Sequence, residues 1–247
     1  VEDAVKANFL VHARAGKLLD QFLGGFTLGR GDEGAYAPPI KTEDGLRLLK
    51  QAADEISDEL GFKIRVGVDV AASSLWDPKE EAYVYRTEGV KLSREDQMNR
   101  VAEWVDKYEL FYVEDPLDEN DLEGFVELSR QIGGKTLICG DDLIVTNPEI
   151  LREAAEKNAI RAVIIKPNQV GLLTTAMKSV KIAHEKGIVP VVSHRSGEPP
   201  EGHLAQLAVG WGGKLLKAGV VGGERVAKAN ELLRIGEIIG KDRMVSL

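Results

Sequence analysis

The feature that most constrains the fold is a unit that recurs from residue 62 onward: a short apolar run, a polar residue at its end, and an amphipathic helix. The runs are almost continuous in aliphatic residues, which is typical of parallel strands covered on both faces. Repeated strand–helix alternation favours a (β/α) barrel over an open sheet. The runs lie at residues 64–71, 110–116, 136–142, 162–168, 188–194 and 214–219.

Amphipathic helices are predicted between the runs. The helix over 93–107 opens with Ser93 and Asp96 in a capping-box pattern and has an apolar stripe of Met98, Val101, Trp104 and Val105. Two helices, at 2–23 and 43–60, precede the first run, and 81–93 is predicted as a hairpin. The remaining predicted helices lie at 147–157, 172–186, 202–211 and 224–239, the last with Ala227, Leu232, Leu233, Ile235 and Ile239 as its apolar residues.

These elements predict an α/β fold, a TIM-like (β/α) barrel that is incomplete and runs αα(βα)6. The usual closure needs eight strands, so two strands are expected to be missing at the start or the barrel to be irregular there. No linker divides the chain, and we expect one partial barrel domain over residues 1–247. Because the sequence enters a helical pattern directly at Val1, we also expect it to be a piece of a longer protein.

Composition excludes several classes of function. The formal net charge of −8 argues against a polyanionic partner such as nucleic acid. No apolar run approaches the roughly 18 residues that span a bilayer, so no membrane association is expected. The single cysteine, Cys139, lies inside an apolar run, which favours a reducing, cytoplasmic location.

Polar residues at the ends of the runs are the candidate site, because the active site of a parallel barrel lies at the C-terminal ends of its strands. Taken singly, Asp69 could cap a turn and Asp141 or Asp142 could cap a helix. Three acids from three consecutive strands, followed by three basic residues, favour a common site. In chain order the run ends carry Asp69, Glu114, Asp141, Lys166, His194 and Lys217.

The three acids predict a metal site. Carboxylates that face one another repel, and a hard divalent cation removes that repulsion. An all-oxygen set of Asp69, Glu114 and Asp141 suits Mg²⁺ better than Zn²⁺. Lys166, facing such a cationic cluster, is expected to be neutral and free to act as a base.

Two loops add further candidates. In SHRSG, at 193–197, Arg195 offers a bidentate fork with Ser196 and His194 as further donors, which predicts an anion site, although a plain polar loop is the alternative. In GDEG, at 31–34, glycines on both sides hold Glu33 on a loop that could reach into the barrel mouth. The glycines of GVVGG, at 219–223, do not form a dinucleotide-binding fingerprint.

With these motifs the sequence resembles the enolases, the phosphopyruvate hydratases of glycolysis and gluconeogenesis. The resemblance runs in the family's order over most of the chain and rests on seven segments, GDEGAYAP, GVDVAAS, VEDPLDENDLEGF, GDDLIVTNPEIL, IKPNQVG, VVSHRSGE and ERVAKANELLRI. It implies a Mg²⁺-dependent lyase of the enolase barrel type, acting on a small phosphorylated substrate and forming a homo-oligomer.

The resemblance also implies a role for each candidate. Lys166 would remove the C2 proton of 2-phosphoglycerate, and Glu33 would help the C3 hydroxyl leave as water. Arg195 and Ser196 would hold the phosphate, His194 would line the pocket, and Lys217 would contact the carboxylate. The Mg²⁺ that binds the carboxylate would be held by Asp69, Glu114 and Asp141, the last two also bordering the substrate.

The chain departs from the family pattern in ways that leave alternatives open. The N-terminal domain and the first two barrel strands of the enolases have no counterpart here, and PPEGH follows SHRSGE where the family usually has another sequence. A non-catalytic enolase-like binding or structural protein therefore remains an alternative to the enzyme. A related Mg²⁺-dependent dehydratase is a third reading, against which the HRSG motif argues.

Overall fold

The structure is a computed structural model that describes residues 1–25, 29–240 and 244. The chain divides into two compact units, the first formed by Val1–Ile64 with Val192–Leu247 and the second by Arg65–Val191. The single domain expected over 1–247 stays a prediction.

Strands and helices alternate as the sequence predicts. The helices are α1 Glu2–Leu23, α2 Thr42–Leu60, α3 Arg94–Tyr108, α4 Leu122–Ile132, α5 Pro148–Glu156, α6 Pro167–Val170, α7 Leu173–Glu185, α8 His203–Gly210 and α9 Gly223–Ile239. The strands are β1 Gly67–Asp69, β2 Trp76–Asp77, β3 Ala82–Tyr85, β4 Val90–Leu92, β5 Tyr112–Glu114, β6 Leu137–Gly140, β7 Ala162–Ile165, β8 Val189–Ser193 and β9 Leu215–Lys217.

A parallel ladder forms the centre of the second unit. Strands β1, β5, β6 and β7 pair in that order, with Asp69 opposite Glu114, Glu114 opposite Cys139, and Cys139 opposite Ala162. All four residues of β7 are buried, as expected for a strand covered on both faces. The predicted parallel α/β architecture is thus confirmed, and the register brings the ends of consecutive strands side by side.

Side-chain caps account for several helix starts in this unit. Ser93 Oγ accepts a hydrogen bond from the Asp96 amide, so the predicted N-cap of α3 is confirmed, and Val101, Trp104 and Val105 of its stripe are buried. Asn147 caps α5 in the same way. Helix α4, whose bounds the sequence pattern does not predict, begins after Asp121, whose carboxylate accepts from the Gly124 amide.

The predicted hairpin is part of a three-stranded antiparallel sheet of β2, β3 and β4. The Tyr83 hydroxyl on β3 accepts a hydrogen bond from the Asp118 amide at 2.9 Å, and burial raises the pKa of Tyr83 to about 12. On α3, Gln97 Nε2 donates to the Pro116 carbonyl at 3.0 Å. The hairpin and α3 therefore fix the segment that follows Glu114 at the end of β5.

In the first unit, α1 and α2 pack together and are joined by an ion pair between Arg14 and Glu55. The end of β8 lies beside β9, where the His194 amide donates to the Lys217 carbonyl at 3.0 Å. The apolar stripe predicted for α9 is wrong at Ile239, which is 40% exposed. The buried face of α9 instead carries two cations, Arg225 and Lys228, because both find polar partners inside the unit.

Candidate active site

The three acids expected to bind metal follow three neighbouring strands of the second unit. Asp69 and Glu114 are register partners, and Asp141 lies two residues beyond Cys139, the partner of Glu114. Glu114 is fully buried and accepts a hydrogen bond from the Tyr112 hydroxyl at 2.6 Å. Asp69 is exposed and its Oδ1 accepts from the Ala71 amide. The strand ends thus bring these acids to one edge of the ladder.

Asp115 holds this edge together. Its two carboxylate oxygens accept the amides of Asp141 and Asp142 at 2.9 and 2.8 Å, and its carbonyl accepts the amide of Ala72. Its own amide donates to the carbonyl of Cys139. Burial raises the pKa of Asp115 to about 7. One residue therefore links the loops that follow β1, β5 and β6.

Among the residues that the structure describes, the acidic group close enough to hold one ion is Asp115, Asp141 and Asp142, with ligand atoms within 4.8 Å of one another. This set shares only Asp141 with the predicted ligands. The oxygens of Asp115 already accept backbone amides, so its closeness to the other two follows from its linking role. Asp141 Oδ1, by contrast, is buried and has no hydrogen-bond partner among the described residues, so one ligand atom of the predicted set is available to a cation.

Lys166 lies at the end of β7, and its Nζ forms an ion pair with Asp141 Oδ2. The Lys166 side chain is 15% exposed. The main chain at this position is held by Thr146, whose Oγ1 accepts the Lys166 amide at 2.9 Å and donates to Gln169 Oε1 at 3.1 Å. The base expected to be neutral is therefore paired with a carboxylate, within a local network that fixes where its backbone lies.

The loops that follow β1, β5 and β6 have unusual backbone conformations. Ala71, Asp115, Val145 and Thr146 all have positive φ angles, between 39° and 58°. The left-handed region is unfavourable for residues other than glycine, above all for β-branched side chains. Such residues are concentrated at functional sites, where surrounding contacts hold the strained backbone.

A second group of candidates lies in the first unit. His194 is buried, and its Nε2 lies 3.3 Å from Oε2 of Glu33, whose side chain is 46% exposed. Burial lowers the pKa of His194; Glu33 opposes this effect, while Arg225 and Lys217 add to it. The histidine from SHRSG and the glutamate from GDEG, far apart in sequence, are thus in contact.

The loop that carries Glu33 fits closely against the segment after β9. Gly34 has a φ angle of 78°, and a Cβ there would lie 2.3 Å from the Val221 carbonyl oxygen. A Cβ on Gly219 would lie 2.6 Å from the Glu33 carbonyl oxygen. The GVVGG segment therefore packs against the Glu33 loop, and this close approach accounts for the glycine at position 219.

The SHRSGE loop is held from α9. Glu198 accepts the Arg195 amide at 3.0 Å and pairs with Lys228 at 3.0 Å, and Lys228 also donates to the Pro199 carbonyl at 2.6 Å. These contacts leave the Ser196 side chain exposed at the loop surface. Arg195 is partly exposed, and so is Lys217 at the end of β9. The PP of the divergent PPEGH sequence therefore contributes a carbonyl that fixes the loop.

The family model described as "Enolase, C-terminal TIM barrel domain" matches residues 1–246. The chain belongs to the enolase family. The predicted incomplete barrel of the enolase type is thereby confirmed as its fold class.

Curated relatives agree with this assignment. The chain is similar to the enolase of Methanothermobacter thermautotrophicus, with 48% identity over 247 residues that make up 100% of this chain and 59% of the relative. It is similar to the enolase of Archaeoglobus fulgidus, with 48% identity over 99% of this chain and 59% of the relative. It is similar to the enolase of Methanosphaera stadtmanae, with 44% identity over 100% of this chain and 60% of the relative. The chain thus spans about three fifths of the length of these relatives.

Sequence reasoning missed the residues that hold the candidates in place, namely Arg225, Lys228, Asp115 and Thr146. The three-residue spacing of Arg225 and Lys228 in ERVAK is a signal that both cations lie on one helix face, but not that this face is buried. The roles of Asp115 and Thr146 depend on loop geometry, for which the sequence offers no comparable signal.

Across the described residues, no helix has the length and apolar character needed to cross a membrane.

Proposed function

We propose that the chain carries the catalytic residues of an enolase, which reversibly dehydrates 2-phosphoglycerate to phosphoenolpyruvate in glycolysis and gluconeogenesis. The observation that carries this proposal is the contact between Lys166 and Asp141 at the ends of adjacent strands, in a chain of the enolase family. The proposed reaction removes a proton from the carbon next to the carboxylate of the substrate. It requires a base close to the metal ligands of the protein, and Lys166 lies beside one of them, Asp141.

In this proposal the chain supplies the groups that move protons. Lys166 Nζ takes the proton from C2, and the electron pair of that C–H bond becomes available to form the C2–C3 double bond. Glu33 gives a proton to the C3 hydroxyl, the C3–O bond breaks, and water leaves. His194 donates to Glu33 and keeps its carboxyl group aimed, since the two lie 3.3 Å apart.

The residues present fit a magnesium ion. The acids are hard oxygen donors, and Asp141 Oδ1 is a buried oxygen without a hydrogen-bond partner in the part of the chain that the structure describes. We propose that Asp69, Glu114 and Asp141 hold Mg²⁺, with Glu114 and Asp141 also bordering the substrate. The ion would offset the negative charge that develops on the substrate carboxylate.

The remaining candidates bind the substrate. Arg195 and Ser196 at the surface of the SHRSGE loop would bind the phosphate, the guanidinium by its planar fork. Lys217 at the end of β9 would contact the carboxylate. A small phosphorylated acid is therefore the proposed partner. We also propose a cytoplasmic location, as glycolysis implies, and a homo-oligomer if the pattern of the full-length family holds.

One observation favours a second candidate, a non-catalytic binding or structural module. The chain matches about three fifths of the length of its relatives, so the groups that the remaining part of an enolase supplies are not among those matched. The retained candidates, Lys166, Glu33 and the three acids, favour the enzyme.

The deciding experiment uses a hybrid in which this chain replaces the matched part of the Methanothermobacter thermautotrophicus enolase. Phosphoenolpyruvate formation from 2-phosphoglycerate with Mg²⁺ is followed by absorbance for the hybrid and for the 247-residue chain. We expect turnover by the hybrid and loss of it in Lys166→Ala. A folded hybrid without turnover would overturn the enzymatic function and favour the binding module.

The metal assignment has its own measurement. Asp141→Asn removes one negative charge and should weaken Mg²⁺ binding by about tenfold or more in titration calorimetry, since coordination by hard cations depends on ligand charge. Asp106→Asn is the matched control, because Asp106 is exposed and pairs with Lys135 outside the candidate site. Equal Mg²⁺ affinity in both variants would refute the role of Asp141.

A further inference from the structure

Arg225 is a fully buried cation whose hydrogen bonds converge on the two loops of the first-unit site. Its Nη1 lies 2.5 Å from His194 Nδ1 and donates to the Arg195 carbonyl at 2.7 Å. Its Nη2 donates to the carbonyls of Ser196 and Asp32 at 2.7 and 3.2 Å. One guanidinium thus joins the SHRSGE loop to the residue next to Glu33.

The contact with His194 determines which ring nitrogen carries the proton. A guanidinium only donates hydrogen bonds, so His194 Nδ1 must accept. A neutral imidazole has a single N–H, which therefore lies on Nε2. That nitrogen is 3.3 Å from Glu33 Oε2, so the ring presents a donor to the carboxylate.

The placement of Arg225 is costly if it serves packing alone. Burying a cation requires compensation, and this one is compensated mostly by carbonyl oxygens and an imidazole. Its carboxylate neighbour is Glu224, with Oε1 at 3.4 Å from Nε. The partners of this buried charge belong to, or adjoin, the proposed acid and the proposed phosphate ligands. This placement points to a role for Arg225 in arranging those residues.

We propose that Arg225 is a positioning residue that fixes His194 as the Nε2–H tautomer and thereby, together with its bond to Asp32, aims Glu33 for the reaction. This inference rests on the proposed function for its catalytic meaning. The tautomer itself is a property of the chain and is measured without substrate.

Lys228 is a natural matched control. It is fully buried on the same face of α9, one turn after Arg225, and it binds the same loop through Glu198 and Pro199. Its hydrogen-bond partners do not include His194 or Asp32. Replacing Lys228 therefore disturbs the loop without removing the donor that faces His194 Nδ1.

The experiment records long-range ¹H–¹⁵N correlations of the histidine rings in the 247-residue chain at neutral pH. His194→Gln assigns the signal of His194 among the four histidines. We expect the proton on Nε2 in the wild type and in Lys228→Met, and a mixture of tautomers in Arg225→Met, which removes the donor that faces Nδ1. A wild-type proton on Nδ1, or an unchanged tautomer in folded Arg225→Met, would overturn the proposal. If Arg225→Met fails to fold, the wild-type spectrum decides.

The kinetic arm uses the hybrid enzyme. Misplacement of a catalytic group by about 1 Å lowers the rate about 100-fold, so Arg225→Lys should lower kcat by that order with a smaller change in KM. Lys228→Met should act mainly on KM, through the loop that carries Arg195 and Ser196. If the wild-type hybrid has no activity, the proposed function fails while the tautomer still tests Arg225. A normal kcat in Arg225→Lys would refute the positioning role.

Discussion

Replacing Thr146 by valine tests how the backbone of Lys166 is held. Thr146 is fully buried, and its hydroxyl makes two side-chain hydrogen bonds, one from the Lys166 amide and one to Gln169. Valine keeps the shape and the β-branch, so the strain of the φ angle of 58° is retained. The substitution therefore removes the two bonds and leaves the Lys166 amide without its acceptor.

The magnitude follows from those bonds. A typical intramolecular hydrogen bond contributes about 0.5–1.5 kcal/mol, and a buried donor left unpaired costs about 1–3 kcal/mol. We expect Thr146→Val to lower the free energy of unfolding by about 2 kcal/mol. At a urea slope of about 2 kcal/mol/M the midpoint would fall by about 1 M.

Thr136 provides the matched control. It is also buried, at 4% exposure, but its hydroxyl finds no hydrogen-bond partner within residues 1–25, 29–240 and 244, so Thr136→Val should be neutral or slightly stabilising. Urea unfolding of both variants is followed by circular dichroism, and the Lys166 amide by hydrogen exchange, which should speed up in Thr146→Val alone. Equal midpoints for the two variants, with the Lys166 amide equally protected, would refute the reasoning.

Two further predictions concern the first unit. Gly34→Ala should lower the free energy of unfolding by at least about 1–2 kcal/mol, because alanine is strained at positive φ and its Cβ would overlap the Val221 carbonyl. Gly31→Ala is the control, since a Cβ there meets open space, and it should change this free energy by less than about 0.5 kcal/mol. Similar melting temperatures for the two variants would contradict the prediction. His194 should titrate below pH 6.5 in NMR, since burial and the nearby Arg225 and Lys217 outweigh Glu33 and Glu198. The stability that neutral His194 contributes is present above pH 6.5 and is lost as the pH falls through the lowered pKa. In His194→Gln the free energy of unfolding should therefore depend less on pH over that range. A titration midpoint of His194 above 6.5 would contradict the prediction.

The sequence was sufficient to predict most of the elements and which polar residues lie at the ends of the strands. Aliphatic runs such as AVII are buried because parallel strands are covered on both faces, and β7 forms where that pattern predicts it. Lys166 and Asp141, each expected at a strand end, are in contact. Periodicity and residue type carry this information locally, so it can be read without the fold.

The sequence was not sufficient for the residues that hold those groups in place. Asp115 reads as the opening of a loop, yet its carboxylate binds two amides 26 and 27 residues away. Arg225 reads as a solvent-facing residue of an amphipathic helix, yet it is fully buried, with partners that include Asp32, 193 residues away. Such roles depend on tertiary contacts between distant segments, and no local period encodes them.

The central claim, that Lys166 is the base, is tested most directly by exchange of the C2 proton of 2-phosphoglycerate with D₂O in the presence of Mg²⁺, followed by proton NMR. The hybrid enzyme should exchange this proton, and Lys166→Ala should slow the exchange by about 100-fold or more. Lys135→Ala is the control, because Lys135 is an exposed lysine paired with Asp106, and it should exchange at the wild-type rate. Exchange at the wild-type rate in Lys166→Ala would contradict the account.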